Sequence, residues 1–183
     1  MKQHYLALVL MVSLLLAACG GDDSQPGAAV TLHPITARDL QIVTGQIIYV
    51  PAYSEIFYND ANRTIRLAVT LAIHNTDLEN PIIIQSVRYY NTDGELVREY
   101  IDDPIEVPPL ATTGFVVEGQ DTTGGWGANF IVEWGAETPV YEPVIEAVMI
   151  SSGSTQGFSI TSIGRVLSQT FPEDGEDTLP QGD

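Results

Sequence analysis

Side chains able to do covalent or acid–base chemistry are few in this chain. One cysteine, Cys19, and three histidines, His4, His33 and His74, make up the whole supply of thiols and near-neutral bases. A general base needs its partner within hydrogen-bond reach, and no spacing around these histidines supplies one. His4 sits in the leader, His33 in a glycine- and proline-rich stretch, and His74 on the outward side of an alternating segment. Zinc chemistry is disfavoured, because neither HExxH nor a paired-histidine spacing occurs. The run Gly153-Ser154-Thr155-Gln156-Gly157 places its serine off the centre of a nucleophile elbow and lacks the strand–turn–helix context. It is expected to be a turn.

Cys19 is the informative residue, since a thiolate is the strongest side-chain nucleophile near neutral pH. Lys2 and His4 precede an apolar run from Tyr5 to Ala18, broken only by Ser13. As a helix at about 1.5 Å per residue the run reaches about 21 Å, short of a hydrocarbon core of about 30 Å. A basic start, a short apolar core and small residues before a break describe a secretory signal. Leu16-Ala17-Ala18-Cys19 resembles the lipobox of bacterial lipoproteins. That resemblance implies a signal peptide over 1–18, a diacylglyceryl group on the Cys19 thiol, and further acylation (palmitate) of its freed amine. Two or three acyl chains, at about 0.8 kcal/mol per buried methylene, make a lasting membrane anchor. Gly20 follows, not aspartate. The expected place is the outer membrane of a Gram-negative cell, or the outer face of the plasma membrane where there is one membrane. With Cys19 modified, no thiol remains for a disulfide, a cysteine nucleophile or a cysteine metal site.

Two further groups invite chemistry. In Gly124-Gly125-Trp126-Gly127 the glycines would let backbone amides approach an anion, but the lysine and helix of a phosphate loop are missing. Alternatively Trp126 stands at a tip and stacks on a sugar or a partner, or it folds back onto the domain. This is the candidate recognition loop. Asp102, Asp103, Glu106 and Asp121 are a secondary option for calcium, which takes about six to eight oxygen ligands, although no EF-hand spacing is present. No cofactor is expected. Paired carboxylates also suggest glycosidase chemistry, but among 24 acids any pair is uninformative.

Those acids give a formal charge of −17, and −18 once Lys2 is lost with the signal. Such a surface repels nucleic acid and anionic headgroups, so neither is an expected partner.

The elements that must carry these residues read as strands. Residues 19–40 are rich in Gly, Asp, Ser, Pro and Ala and are expected to form a flexible tether. Residues 169–183, with PEDGEDTLPQGD, are expected to be a disordered acidic tail. Between them, over 41–168, period-two alternation is clearest where Ile65, Leu67, Val69, Leu71 and Ile73 share a face. Further strands are predicted over 43–50, 82–90, 95–101, 112–118, 128–134, 144–150 and 158–167, with a hairpin turn at Asn91-Thr92-Asp93-Gly94. About eight strands without an amphipathic helix must cover one another. The predicted fold is an all-β, immunoglobulin-like antiparallel sandwich, with an open barrel as the alternative.

Several phrases in fixed order, YVPAYSEIFY, NRTIRLAVTLAIHNTD, SVRYYNTDGELVREY, TTGGWGANFIVEW and VIEAVMI, resemble the domain-of-unknown-function 3124 family of bacterial lipoproteins and exported proteins. The resemblance runs over about 46–167 and implies an exported β-rich domain, with no established reaction, ligand or catalytic residue. The expectation for function is a non-enzymatic envelope module that binds a protein or a polysaccharide. The alternative is a carbohydrate-active or metal-dependent envelope enzyme using clustered carboxylates.

Overall fold

Alternating apolar residues bounded by Asn, Asp, Gly and Pro give this chain strands, and the computed structural model, described here for residues 32–36, 38–151 and 157–170, contains twelve of them. They are β1 (Thr44–Pro51), β2 (Glu55–Tyr58), β3 (Asp60–Arg66), β4 (Ala68–His74), β5 (Ile82–Tyr90) and β6 (Leu96–Glu99). The second half holds β7 (Ile105–Val107), β8 (Thr112–Val117), β9 (Asn129–Ala136), β10 (Val144–Ser151), β11 (Phe158–Ile163) and β12 (Arg165–Thr170).

All pairings are antiparallel. One sheet runs β12-β1-β9-β5-β6, with β7 sharing the β5 edge beyond β6; the other runs β11-β10-β4-β8. β2 and β3 form a separate hairpin. The two sheets lie face to face as an open sandwich, not a closed barrel. The inward residues are those that the alternation selects. Val69, Leu71 and Ile73 of β4 and Ala147 and Met149 of β10 meet Val50, Ile84, Val87, Phe130 and Val132 from the other sheet, each wholly buried. Trp134, 2 % exposed, donates its Nε1–H to Gln46 Oε1 at 3.2 Å, which satisfies the polar atom of a buried ring.

Two of the predicted strands are each two strands. The segment expected over 158–167 changes sheets at Gly164: Phe158–Ile163 pairs with β10, while Arg165–Thr170 pairs with β1. A Cβ at Gly164 would fall 2.5 Å from Ile48 Cγ2 and 2.9 Å from the Ile145 carbonyl oxygen, so only glycine passes this corner undistorted. Likewise the alternating run from Ile65 to Ile73 leaves the hairpin and enters the sandwich at Leu67, whose amide donates to Ser54 O at 2.9 Å. β2 and β7 are additional to the predicted set.

The expected boundaries shift at both ends. Within the predicted tether, Ile35 N donates to Pro104 O and Glu106 N to His33 O, and Arg38 makes two bonds to Glu137 at 2.8 and 2.6 Å. The segment is fastened to the domain from His33 onward. β12 extends to Thr170, two residues into the segment expected as tail. Cys19, the expected signal peptide, most of the expected tether, residues 171–183 and Ser154 of the glycine–serine run lie outside the described residues.

Candidate functional site

The glycine–tryptophan loop lies where β1 ends and β9 begins. Gly125–Gly127 makes one 3-10 turn, and Gly125 takes φ +76°, a left-handed value that suits glycine. Two hydroxyls from distant strand ends brace it. Ser54 Oγ accepts the Gly125 amide at 2.8 Å, and the Ser54 amide donates to Gly125 O at 3.1 Å. Thr92 Oγ1 donates to Gly124 O at 3.0 Å and accepts the Gly127 amide at 3.0 Å. The anion-cradle expectation is thereby corrected: the amides of Gly125 and Gly127 are already spent inside the protein.

Trp126 follows neither of the two paths foreseen for it in simple form. Its side chain stays at the surface, 53 % exposed, yet it leans on the β2–β3 hairpin with its ring 5.7 Å from that of Phe57, itself 50 % exposed. Beside the pair runs a groove of about 400 Å³ lined by Tyr49, Pro51, Tyr53, Ile56, Phe57, Trp126 and Gly127. No charged side chain lines it. The sequence signal for this aromatic surface was the density of rings between Tyr49 and Tyr58, which the strand reading did not use.

At the other end a cleft of about 510 Å³ separates the Asp77–Asn80 turn from Pro139, Val140 and Tyr141. Asp77 faces it, 6 % exposed. Its Oδ1 accepts the amides of Glu79 and Asn80 at 3.0 and 2.8 Å, and its Oδ2 accepts that of Tyr141 at 3.1 Å. These backbone donors hold the carboxyl below the ordinary carboxylate range. The neighbouring Asn75 is equally committed, with its Nδ2 directed at the carbonyls of Asn80, Val107 and Pro108. Asp77 and Asn75 pin loops together.

The acids considered for calcium do not come together. Asp102 and Asp103 are exposed, and Glu106 is half-buried on β7. Asp121 receives the Thr123 hydroxyl at 2.5 Å, the Thr123 amide at 3.1 Å and Arg98 Nη2 at 3.0 Å. The Thr123 hydroxyl, foremost, lowers its pKa. Among the described residues no three His, Cys, Asp or Glu side chains converge on a point that could hold a metal ion. His74 lies on the outer face of β4, as its alternation indicates, with Nδ1 2.9 Å from Thr112 Oγ1.

No curated protein matches the chain. Among solved structures, the crystal structure of Thermotoga maritima 1070 matches with 14 % identity and a TM-score of 0.40, covering 66 % of this chain and 92 % of that one. At that score the likeness carries no argument. The model of the family described as "Protein of unknown function (DUF3124)" matches residues 45–167, from the start of β1 into β12. That span takes in both sheets, the aromatic hairpin and the braced loop, and the chain belongs to the DUF3124 family.

Proposed function

We propose that this protein is a lipid-anchored, non-enzymatic interaction module of the bacterial cell envelope, offering the aromatic groove to a protein or polysaccharide. The observation that carries the reading is the Trp126–Phe57 pair: two large rings, each about half exposed, the tryptophan on a loop held by Ser54 and Thr92. Exposed apolar patches on otherwise solvated domains mark interaction sites. Large aromatic anchors also supply contact area at low entropic cost when their frame is already ordered.

Position supports it. Thr44 and Thr170 lie in adjoining strands at the end remote from Trp126, because Gly45 pairs with Thr170 while Pro51 pairs with Asn129. The eight residues of β1 separate the two ends by about 26 Å at roughly 3.3 Å per residue. That separation supports a groove turned away from a bilayer that holds Cys19. The membrane is the outer one in a Gram-negative cell, by the Gly20 that follows the lipobox, and otherwise the plasma membrane's outer face.

The test uses the full-length protein in its own envelope. Cys19→Ser is expected to move it from the membrane to the soluble fraction. Trp126→Ala with Phe57→Ala is expected to keep the membrane anchor and the melting temperature but abolish cross-linking to envelope components. Trp126→Phe, which keeps a ring, should retain cross-linking and so separates recognition from folding. Equal cross-linking by wild type and the double variant would overturn the groove as the binding surface.

A further inference from the structure

Positive charge is scarce here, and its placement is uneven. Apart from Lys2, the fixed cations are six arginines against 24 acids. Arg38, Arg88 and Arg98 are neutralised by Glu137, Glu133 and Asp121. Arg63, Arg66 and Arg165 form no ion pair among the described residues, and all three are exposed. Their places differ. Arg165 stands opposite Tyr49 in the β1–β12 ladder, and directly opposed residues share a sheet face with Cβ atoms about 5 Å apart. Arg66 lies on the hairpin face that carries Phe57, since Thr64 pairs with Phe57, but it stands directly opposite Glu55, whose carboxylate shares that face. Arg63 sits on the opposite hairpin face, two residues from Ile65, the partner of Ile56.

Resting on the groove as the binding surface, we propose that its ligand is an anionic glycan. The rings of Trp126, Phe57 and Tyr49 would take the apolar faces of sugar rings. Arg165 on the flank would take a carboxylate or phosphate group that the sugars carry, as guanidinium groups do through charge-assisted hydrogen bonds. Charge complementarity makes the choice. The rest of the surface is strongly acidic and repels a polyanion, whereas the groove is lined without a carboxylate and flanked by Arg165, which faces Tyr49 and forms no ion pair among the described residues. A neutral glycan would have no use for that arginine. A platform of half-exposed rings also favours a chain of flat-faced rings over an acidic protein loop.

The experiment titrates detergent-solubilised full-length protein with polygalacturonate, a phosphorylated mannan, neutral dextran and polyglutamate. Tryptophan emission is the readout, because Trp126 is 53 % exposed and Trp134 only 2 %. One of the two anionic glycans is expected to shift the emission and bind at least about tenfold more tightly than dextran, and to weaken as salt is raised. Arg165→Gln is expected to weaken binding by roughly threefold to tenfold at unchanged melting temperature, and Arg66→Gln, across from Glu55, by less. Equal binding of dextran, or indifference to Arg165→Gln, overturns the anionic class. Binding of polyglutamate alone assigns an acidic protein partner and overturns the glycan. If no probe binds while the Trp126/Phe57 double variant still abolishes envelope cross-linking, the groove stands and the ligand class fails. If cross-linking is also unaffected, both readings fail.

Discussion

Asp77 Oδ2 accepts the backbone amide of Tyr141 at 3.1 Å and so ties the turn after β4 to the loop before β10. With the amides of Glu79 and Asn80 on its other oxygen, the carboxyl is held ionised below its ordinary range. A carboxyl with a lowered folded pKa contributes stability that is present above the unfolded pKa and lost as pH falls through the folded one. The melting temperature is therefore expected to fall as the medium is acidified below about pH 4. Asp77→Asn should melt lower at neutral pH and lose less on acidification. Parallel acid limbs for the two proteins would place the acid sensitivity elsewhere.

Gly164 offers a steric prediction. An added methyl would meet Ile48 Cγ2 at 2.5 Å and the Ile145 carbonyl oxygen at 2.9 Å, and backbone does not yield as a flexible side chain does. Gly164→Ala is expected to cost about 1–3 kcal/mol, the usual range for overpacking. Denaturant unfolding measures it, and a midpoint unchanged from wild type would show that the corner relaxes freely.

Thr92 acts on the loop from a distance. Its hydroxyl both donates to Gly124 O and accepts from the Gly127 amide. Thr92→Val keeps the shape and removes both bonds, so a loss of about 1–2 kcal/mol is expected. The more specific readout is Trp126, whose fluorescence anisotropy should drop as its turn loosens. A stability loss without that drop would mean that the loop is held by its backbone contacts alone.

Tyr89 is wholly buried, and its hydroxyl makes no hydrogen bond among the described residues. Burial, only partly opposed by the nearby Ser54 hydroxyl, pushes its phenol up to about 12. The neutral form is favoured in the folded state, so its share of stability is intact below the unfolded tyrosine range and is lost as pH rises from about 10 to 12. Tyr89→Phe removes an unpaired polar atom, and at neutral pH it should be as stable as wild type or more so. It should also melt less readily across the alkaline window. A marked loss of stability at neutral pH would reveal a bond to the hydroxyl.

The sandwich was legible wherever burial on one face imposed alternation. Ile82–Tyr90 matches to the residue, because its ends are cut by Pro81 and by Asn91, whose Oδ1 accepts the amides of Asp93 and Glu95. The breaks at Leu67 and Gly164 were hidden for a physical reason. At Leu67 the chain changes partners without changing period, since Ile65, Leu67 and Val69 keep one parity through the switch. β12 is exposed at every position and β3 at all but Ile65, so neither has a buried face to betray it. The site was half legible. Trp126 and its glycines stood out, but Ser54 and Phe57 lie about seventy residues earlier, and nothing local links them. The carboxylates near Pro104 failed for the opposite reason. They are neighbours in sequence, and the strand that carries Glu106 leads it away from Asp102 and Asp103, while Asp121 is held by Thr123 and Arg98.

The direction of β1 has a mechanical consequence. It runs from Thr44, beside the fastened N-terminal segment, to Pro51 at the groove, and it is gripped by β9 through eight registered positions and by β12 through five. Tension between the two ends of the domain acts along that strand, across hydrogen bonds that stand perpendicular to it. The bonds must then yield together, as in a shear joint. A pull on Thr170 alone peels β12 away one bond at a time. The fold is thus stiff along the line from its N-terminal attachment to its groove and yielding at its C-terminal edge.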